Sequence, residues 1–138
     1  MAKRNAEKAV VRALIAALGK GEAETMLGLL DDAAVIIIPG DVKVPFNGRW
    51  EGKGPIRQCF RLFADYLDIR DHTIRLLFGE GEHVCVIINE TSASKTTGRF
   101  IKQDTAWYFR VRGGKILLWQ VFEDTAQVAW AWDDRARR

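Results

Sequence analysis

Residues 100–124 read FIKQDTAWYFRVRGGKILLWQVFED, two alternating apolar runs on either side of Gly113-Gly114. A glycine pair supplies the two positive φ angles of a two-residue hairpin turn, and aromatic and β-branched side chains suit a half-buried pleated surface. The stretch therefore predicts a hairpin of Phe100 to Val111 against Ile116 to Asp124. With a two-residue turn, Arg112 stands opposite Lys115, Tyr108 opposite Trp119 and Gln103 opposite Asp124. One face then carries Gln103, Thr105, Trp107, Phe109, Ile116, Leu118, Gln120, Phe122 and Asp124, apolar near the turn and polar at the far end. A ligand pocket needs that mixture, so this face is read as the concave one. The opposite face holds Ala106, Tyr108, Trp119 and Val121 in its middle and Glu123 at its end. It is too apolar to leave wet on a monomer, and it predicts a homodimer joined through it.

Upstream, Thr73 to Phe78, the turn Gly79-Glu80-Gly81 and Val84 to Thr91 read as a second hairpin, with Ser92 to Gly98 as an exposed loop. Ala6, Val10, Ala13, Leu14, Ala17 and Leu18 recur at helical steps until Gly19 and Gly21, and Met26, Leu27 and Leu30 mark a short second helix. Ala33 to Ile38, closed by Pro39-Gly40, reads as a strand buried on both faces. Pro55 suits the first turn of a third helix, whose inner side is Ile56, Cys59, Phe60, Phe63 and Leu67. Thr125 to Trp132 adds a last helical turn. Helix, helix, strand, helix and four antiparallel strands is an α+β order whose sheet must curl around the helices, in one domain over residues 1–138.

Composition narrows the function classes. With 138 residues, 48% hydrophobic and 28% charged, the chain is that of a globular protein able to bury one sizeable core. No apolar run approaches the roughly 20 residues of a spanning helix. Met1 to Asn5 leads into an amphipathic stretch without the apolar core of a secretion signal, so no membrane association and a cytoplasmic location are expected. The net charge of +3 is concentrated at the ends, in Lys3, Arg4, Lys8, Arg12, Arg135, Arg137 and Arg138. The aromatics sit inside apolar runs rather than among these cations, which argues against a nucleic-acid partner. Cys59 and Cys85 lie among hydrophobic neighbours without metal-ligand spacing and read as reduced core thiols. No metal and no cofactor are expected.

The element order, Trp50-Glu51-Gly52-Lys53-Gly54-Pro55-Ile56 before the third helix, Thr97-Gly98, and Gly114-Lys115-Ile116 ahead of Phe122-Glu123-Asp124-Thr125 resemble the SnoaL-like, ketosteroid isomerase-like branch of the nuclear transport factor 2-like superfamily. The resemblance implies a cone-shaped, cystatin-like α+β fold, three helices packed on a curved antiparallel sheet around a hydrophobic pocket, and a homodimer. It says little about the reaction, because the fold hosts isomerases, cyclases, epoxide hydrolases, dehydratases and non-catalytic domains.

In the cyclases and epoxide hydrolases of that branch, an aspartate just after the Gly-Lys-Ile strand works as acid or base, and Asp124 falls on it. Inside an apolar cone its pKa would rise toward neutrality, and Gln103 opposite would orient it. The other reading of Asp124 is a helix cap accepting from N–H groups near Gln127. Glu90 falls where the hydrolases carry an acidic partner, or else is an exposed strand end. Ile88 and Ile36 to Ile38 replace the hydrolase arginine, tyrosine and asparagine. Ile38 before Pro39 and Ala106 replace the isomerase base and hydrogen-bonding acid. Both of those reactions are thereby disfavoured.

His72 and His83 read as exposed turn-end residues, and Asp41 as a solvated turn former. Two functions remain. One is a cofactor-free acid–base enzyme performing isomerisation, cyclisation, dehydration or hydration on a hydrophobic small molecule. Asp124 and Glu90 would be catalytic, with Gln103, Thr105, Trp107, Gln120, Phe122, Phe63 and Trp50 around the substrate. The other is a ligand-binding or assembly domain of the same fold without catalysis.

Overall fold

The first helix, α1 (Ala2–Lys20), turns Val11, Leu14, Ile15 and Leu18 into one buried stripe and gives way at Gly21, whose φ is +70°. The computed structural model describes the backbone of residues 2–137 and the side chains of residues 5–135. The basic fringe read at Lys3, Arg4, Arg137 and Arg138 lies outside the described side chains. A short α2 (Ala23–Gly28) follows, buried through Met26 and Leu27. Next come β1 (Leu30–Ile38), β2 (Gly48–Glu51) and α3 (Lys53–Tyr66), which buries Ile56, Cys59 and Phe60. The remaining elements are β3 (Leu67–Glu80), β4 (His83–Ser94), β5 (Phe100–Arg112), β6 (Lys115–Phe122) and α4 (Thr125–Ala131).

The strands form one six-stranded curved sheet in the order β2-β1-β6-β5-β4-β3, with helices over its concave face. The α+β class follows from this layering. The sheet is mixed rather than wholly antiparallel, because β1 runs parallel to β6 while every other pair is antiparallel. The four residues of β2 carry no readable alternation and pair only with β1. On β1 itself Ala34, Ile36 and Ile38 face the core, while Val35 and Ile37 are half-buried on the outer side, so this strand is buried on one face and not on both. Among the described residues no helix is long and apolar enough to cross a membrane.

Two local readings change in the upstream hairpin. Its turn is Gly81-Glu82, since Glu80 pairs with His83 and Gly79 stays in the strand. Strand β4 also runs on to Ser94, so Ser92, Ala93 and Ser94 are buried instead of forming an exposed loop. Small polar residues tolerate this because each is satisfied locally. The Ser92 hydroxyl donates to Glu90 at 2.8 Å, and Ser94 Oγ accepts from the N–H groups of Thr96 and Thr97 at 3.2 Å.

The decisive departure lies in the 100–124 hairpin. Gly113 and Gly114 have φ of +57° and +77°, the two-residue turn holds, and Arg112 pairs with Lys115 and Val111 with Ile116. Then Arg110 pairs with Leu118, leaving Leu117 as an extra residue on β6. A β-bulge of this kind reverses which side chains of the strand point inward. Phe109 now opposes Trp119, Tyr108 opposes Gln120 and Trp107 opposes Val121. The bulge puts Trp119 and Val121 inside in place of Leu118 and Gln120, which spares the core an amide that would need partners.

The resulting core is aromatic. Trp119 lies 5.1 Å from Trp107 and 5.6 Å from Phe109 between ring centroids, and Phe46 meets Phe63 edge-on at 5.1 Å.

Candidate active site

Four polar side chains form a row across the concave face. His72 of β3 pairs with Glu90 of β4, and Glu90 with Gln103 of β5. Glu123, the residue after β6, extends the row because the bulge at Leu117 has put odd-numbered positions inside. Gln103 Nε2 donates to Glu90 Oε1 at 2.9 Å and to Glu123 Oε1 at 3.3 Å. One amide thus spans two carboxyls. Its own oxygen accepts from the backbone N–H of Asp124 at 2.9 Å, which leaves only the NH₂ end to face the acids.

Glu90 is the better supported of the two acids. Its Oε2 accepts from Ser92, and His72 Nε2 stands 3.6 Å from the same oxygen, with the side chains of His72 and Glu90 only 5% and 9% exposed. Burial works to raise its pKa, but the His72 ring, Ser92 and Gln103 outweigh it and hold Glu90 below the usual carboxylate range. Glu123 has only the longer bond to Gln103. Burial first and the neighbouring Glu90 charge second push its pKa up to about 7, with Asp124 adding to the rise and Gln103 opposing it. Two carboxyls in contact with one amide are therefore split, one held ionised and one held protonated until near neutrality, which is the disposition of a base and an acid.

Around the row, Trp107, Trp119, Phe46, Phe63, Ile38 and Leu18 enclose a hollow of about 50 Å³ onto which His72, Glu90 and Glu123 also open. That is room for about three to five waters or one small organic group, far less than the several hundred Å³ of a typical ligand pocket. The aromatic rings have filled most of the cone. A groove of about 360 Å³ between α1, α2, α3 and the start of β3 shares Leu18, Phe63, Leu67 and Ile69 with the hollow.

Of the residues singled out in the sequence, the fold brings Glu90, Gln103, Trp107 and Phe63 to this place. Thr105 is buried on the same face, but its hydroxyl donates to the Phe122 carbonyl at 3.1 Å. Gln120 and Phe122 are turned to the outer face by the bulge, and Phe122 is 53% exposed. Trp50 sits on β2 with its indole N–H on the Phe46 carbonyl at 3.1 Å, outside the hollow.

Asp124 does not point into the cone. It is exposed and caps α4, accepting from the Gln127 N–H at 3.0 Å, because the reversed register hands the inward position to Glu123. The same reversal corrects the outer face, since Trp119 and Val121 line the hollow and only Ala106 and Tyr108 of the four residues named for a dimer face outward. Leu118, Gln120 and Phe122 replace them there. His72, expected as an exposed turn-end residue, is instead buried against Trp107 at 5.6 Å. Its signal was Ile69, His72, Ile74 and Leu77 facing one way through two irregular steps of β3. Among the described residues no group of three or more His, Cys, Asp or Glu could hold a metal ion.

The chain is matched by the model of the SnoaL-like domain family over residues 11–119. No curated protein matches it in sequence. Among solved structures, a nuclear transport factor 2-like protein from Burkholderia xenovorans LB400 superposes with a TM-score of 0.85 at 23% identity, over 94% of this chain and 98% of that one. TerC, crystallised with polyporic acid, gives a TM-score of 0.79 at 18% identity over 92% and 98% of the two chains. A protein of ketosteroid isomerase-like fold from Catenulispora acidiphila DSM 44928, in complex with trimethylamine, gives 0.74 at 16% identity over 88% and 90%. At these identities the likeness to solved structures carries the fold.

Proposed function

The chain belongs to the SnoaL-like family, and from that premise we propose that it is a cofactor-free acid–base enzyme for a small hydrophobic molecule, with Glu90 as base and Glu123 as acid. The observation that carries this reading is the Gln103 amide bound to two carboxyls that both open onto an aromatic hollow. Glu90, kept anionic by His72, Ser92 and Gln103, takes a proton from the substrate. Glu123 gives one at a second atom. The pair then holds Glu90 protonated and Glu123 ionised, and it is reset when Glu90 gives its proton, and Glu123 regains one, at different atoms of the intermediate or from solvent after the product leaves. Isomerisation, cyclisation, dehydration and hydration all reduce to such an exchange. The aromatic walls supply the hydrophobic contacts, and the groove behind Leu18 and Phe63 has space for the rest of a larger molecule. That two structural relatives hold small organic molecules supports a ligand of this kind.

The test is a carboxyl titration by NMR on ¹³C-labelled protein, assigned with Glu90→Gln and Glu123→Gln. Glu123 is expected to titrate near 7 and Glu90 below the usual range. A Glu123 that titrates near the ordinary value of about 4.3 removes the acid from the scheme.

The small volume of the hollow favours a second reading, a domain of the same fold that binds or assembles without reacting. Small molecules extracted from purified wild type and Glu123→Gln separate the two. An enzyme leaves product in the wild type and substrate in the variant, whereas a binding module yields the same compound from both.

We further read the outer sheet face as a homodimer surface, because Leu76, Phe78 and Phe122 are 60%, 55% and 53% exposed on it. The two free thiols support a reducing, cytoplasmic compartment. Cys59 is buried, which pushes its pKa up to about 12 and leaves it inert. Residues 1–138 are taken as one domain.

A further inference from the structure

The groove of about 360 Å³ between α1, α2, α3 and the start of β3 is lined by charge of one sign only. Met26 and Phe60 form the buried part of its lining, with the half-buried Phe63 and Leu67 beside them. Lys20 and Lys95 are exposed along it, and the lining has no Asp or Glu. Among the described lysines only Lys43 and Lys53 form ion pairs, so no acid neutralises either lysine of the groove. Lys95 Nζ donates to the Ala64 carbonyl at 2.6 Å, which uses one of its three N–H groups. Lys20 ends α1 and Ala64 lies in the last turn of α3, so both cations stand at negative helix ends. Each helix end offsets roughly half a charge, which leaves about one positive charge over the groove.

Gly19 points the same way by a different route. It lines the groove from within α1, has no positive φ, and a Cβ built on it would meet nothing within 4 Å. Glycine weakens a helix relative to alanine, and here neither the backbone nor a neighbour requires it. What its missing Cβ leaves is open space in the groove.

We propose that the groove binds a small amphipathic carboxylate, with its apolar body along Met26, Phe60, Phe63 and Leu67 and its carboxylate at Lys20 and Lys95. A cationic ligand would meet two like charges, and a neutral apolar one would leave both ammonium groups without a counter-charge. A monoanion matches the charge left over the groove, whereas a phosphate group, at about −1.5 to −2, exceeds it. The proposal deepens the acid–base reading by naming its substrate class, and rests on it only for the claim that the bound molecule reacts. The groove shares Leu18, Phe63, Leu67 and Ile69 with the hollow onto which Glu90 and Glu123 open, so a molecule anchored at the lysines extends its other end toward the two acids.

The experiment compares octanoate with 1-octanol at pH 8, where the acid is ionised, by ¹H–¹⁵N titration of the wild type. A merely apolar groove prefers the alcohol, because a carboxylate is the more costly group to take out of water. Octanoate is expected to bind about tenfold more tightly than octanol, the worth of two partly exposed ion pairs, and to shift the Gly19, Gly21 and Lys95 amides saturably. The double variant Lys20→Gln, Lys95→Gln should lose that preference and bind octanol as the wild type does. Raising NaCl from about 50 to about 500 mM should weaken octanoate alone, and this decides the matter if the variant fails to fold. Octanol binding as tightly as octanoate, an octanoate affinity indifferent to the two lysines or to salt, or no shift of those amides at saturating concentration overturns the proposal. The readout is binding alone and needs neither turnover nor a particular Glu123 pKa, so this inference and the acid–base reading can fail separately.

Discussion

The backbone N–H of Asp124 donates to Gln103 Oε1 at 2.9 Å, and that bond decides which end of the amide meets the two acids. Asp124 therefore bears on the site through its main chain while its side chain faces solvent. Gln103 lowers the pKa of both Glu90 and Glu123. Replacing it with leucine keeps the bulk and removes the donor that the two carboxyls share, so Gln103→Leu should raise both pKa values, with Glu123 moving above about 7. Carboxyl titration by NMR reads the shift directly.

The raised acid makes stability depend on pH in a definite direction. Between an ordinary value of 4.5 and about 7, the unfolded chain has lost the Glu123 proton while the folded chain retains it. The folded state then binds more protons, so stability falls as pH rises through that window and levels off above it. The loss is on the order of 2–3 kcal/mol at most, reduced where solvent reaches the group. Glu90 acts oppositely and lower, stabilising the fold above the usual carboxylate range and losing that contribution on acidification through its depressed pKa. Denaturant midpoints at pH 5 and pH 8 should differ in the wild type and draw together in Glu123→Gln.

Removing the Asp124 side chain separates its cap from its main-chain role. Asp124→Ala loses the acceptor for the Gln127 N–H at 3.0 Å and should cost about 1 kcal/mol in a denaturation curve. The Gln103 bond is to backbone and survives. Glu123 should still titrate well above the usual carboxylate range, slightly lower than in the wild type because the Asp124 charge contributes to its rise.

The residues explain which parts of this arrangement a sequence can carry. Alternation along β5 placed Gln103, Thr105, Trp107 and Phe109 on one face, and the glycine pair fixed the turn, so half of the site was legible. Glu90 and Gln103 then meet across β4 and β5 without any irregularity. On β6 a single extra residue at Leu117 exchanged Asp124 for Glu123. Nothing local marks it, because Ile116, Leu117 and Leu118 are equally apolar, and burial of Trp119 against Phe109 and Trp107 makes the choice. His72 was hidden in the same way, behind the irregular steps of β3 between Ile69 and Asp71 and between Ile74 and Leu76. The parallel pairing of β1 with β6 joins segments some eighty residues apart and has no sequence period at all.

The reversed register also changes which substitution tests self-association. Without the bulge Trp119 would lie on the outer face, and a lysine there would probe a dimer. In the folded chain Trp119 is core, and Trp119→Lys buries an unpaired charge among aromatic rings, so it should unfold the protein whatever its oligomeric state. Phe122 is the informative position. It pairs with Ala106 on the outer face, is 53% exposed, and belongs to the same face as Tyr108, Leu76 and Phe78. Phe122→Lys should leave the thermal midpoint of a dilute sample within a few degrees of wild type, since it exposes no core. By light scattering the wild type should run at twice the chain mass and Phe122→Lys at the mass of one chain. If both run as single chains, the apolar outer face serves something other than a second copy.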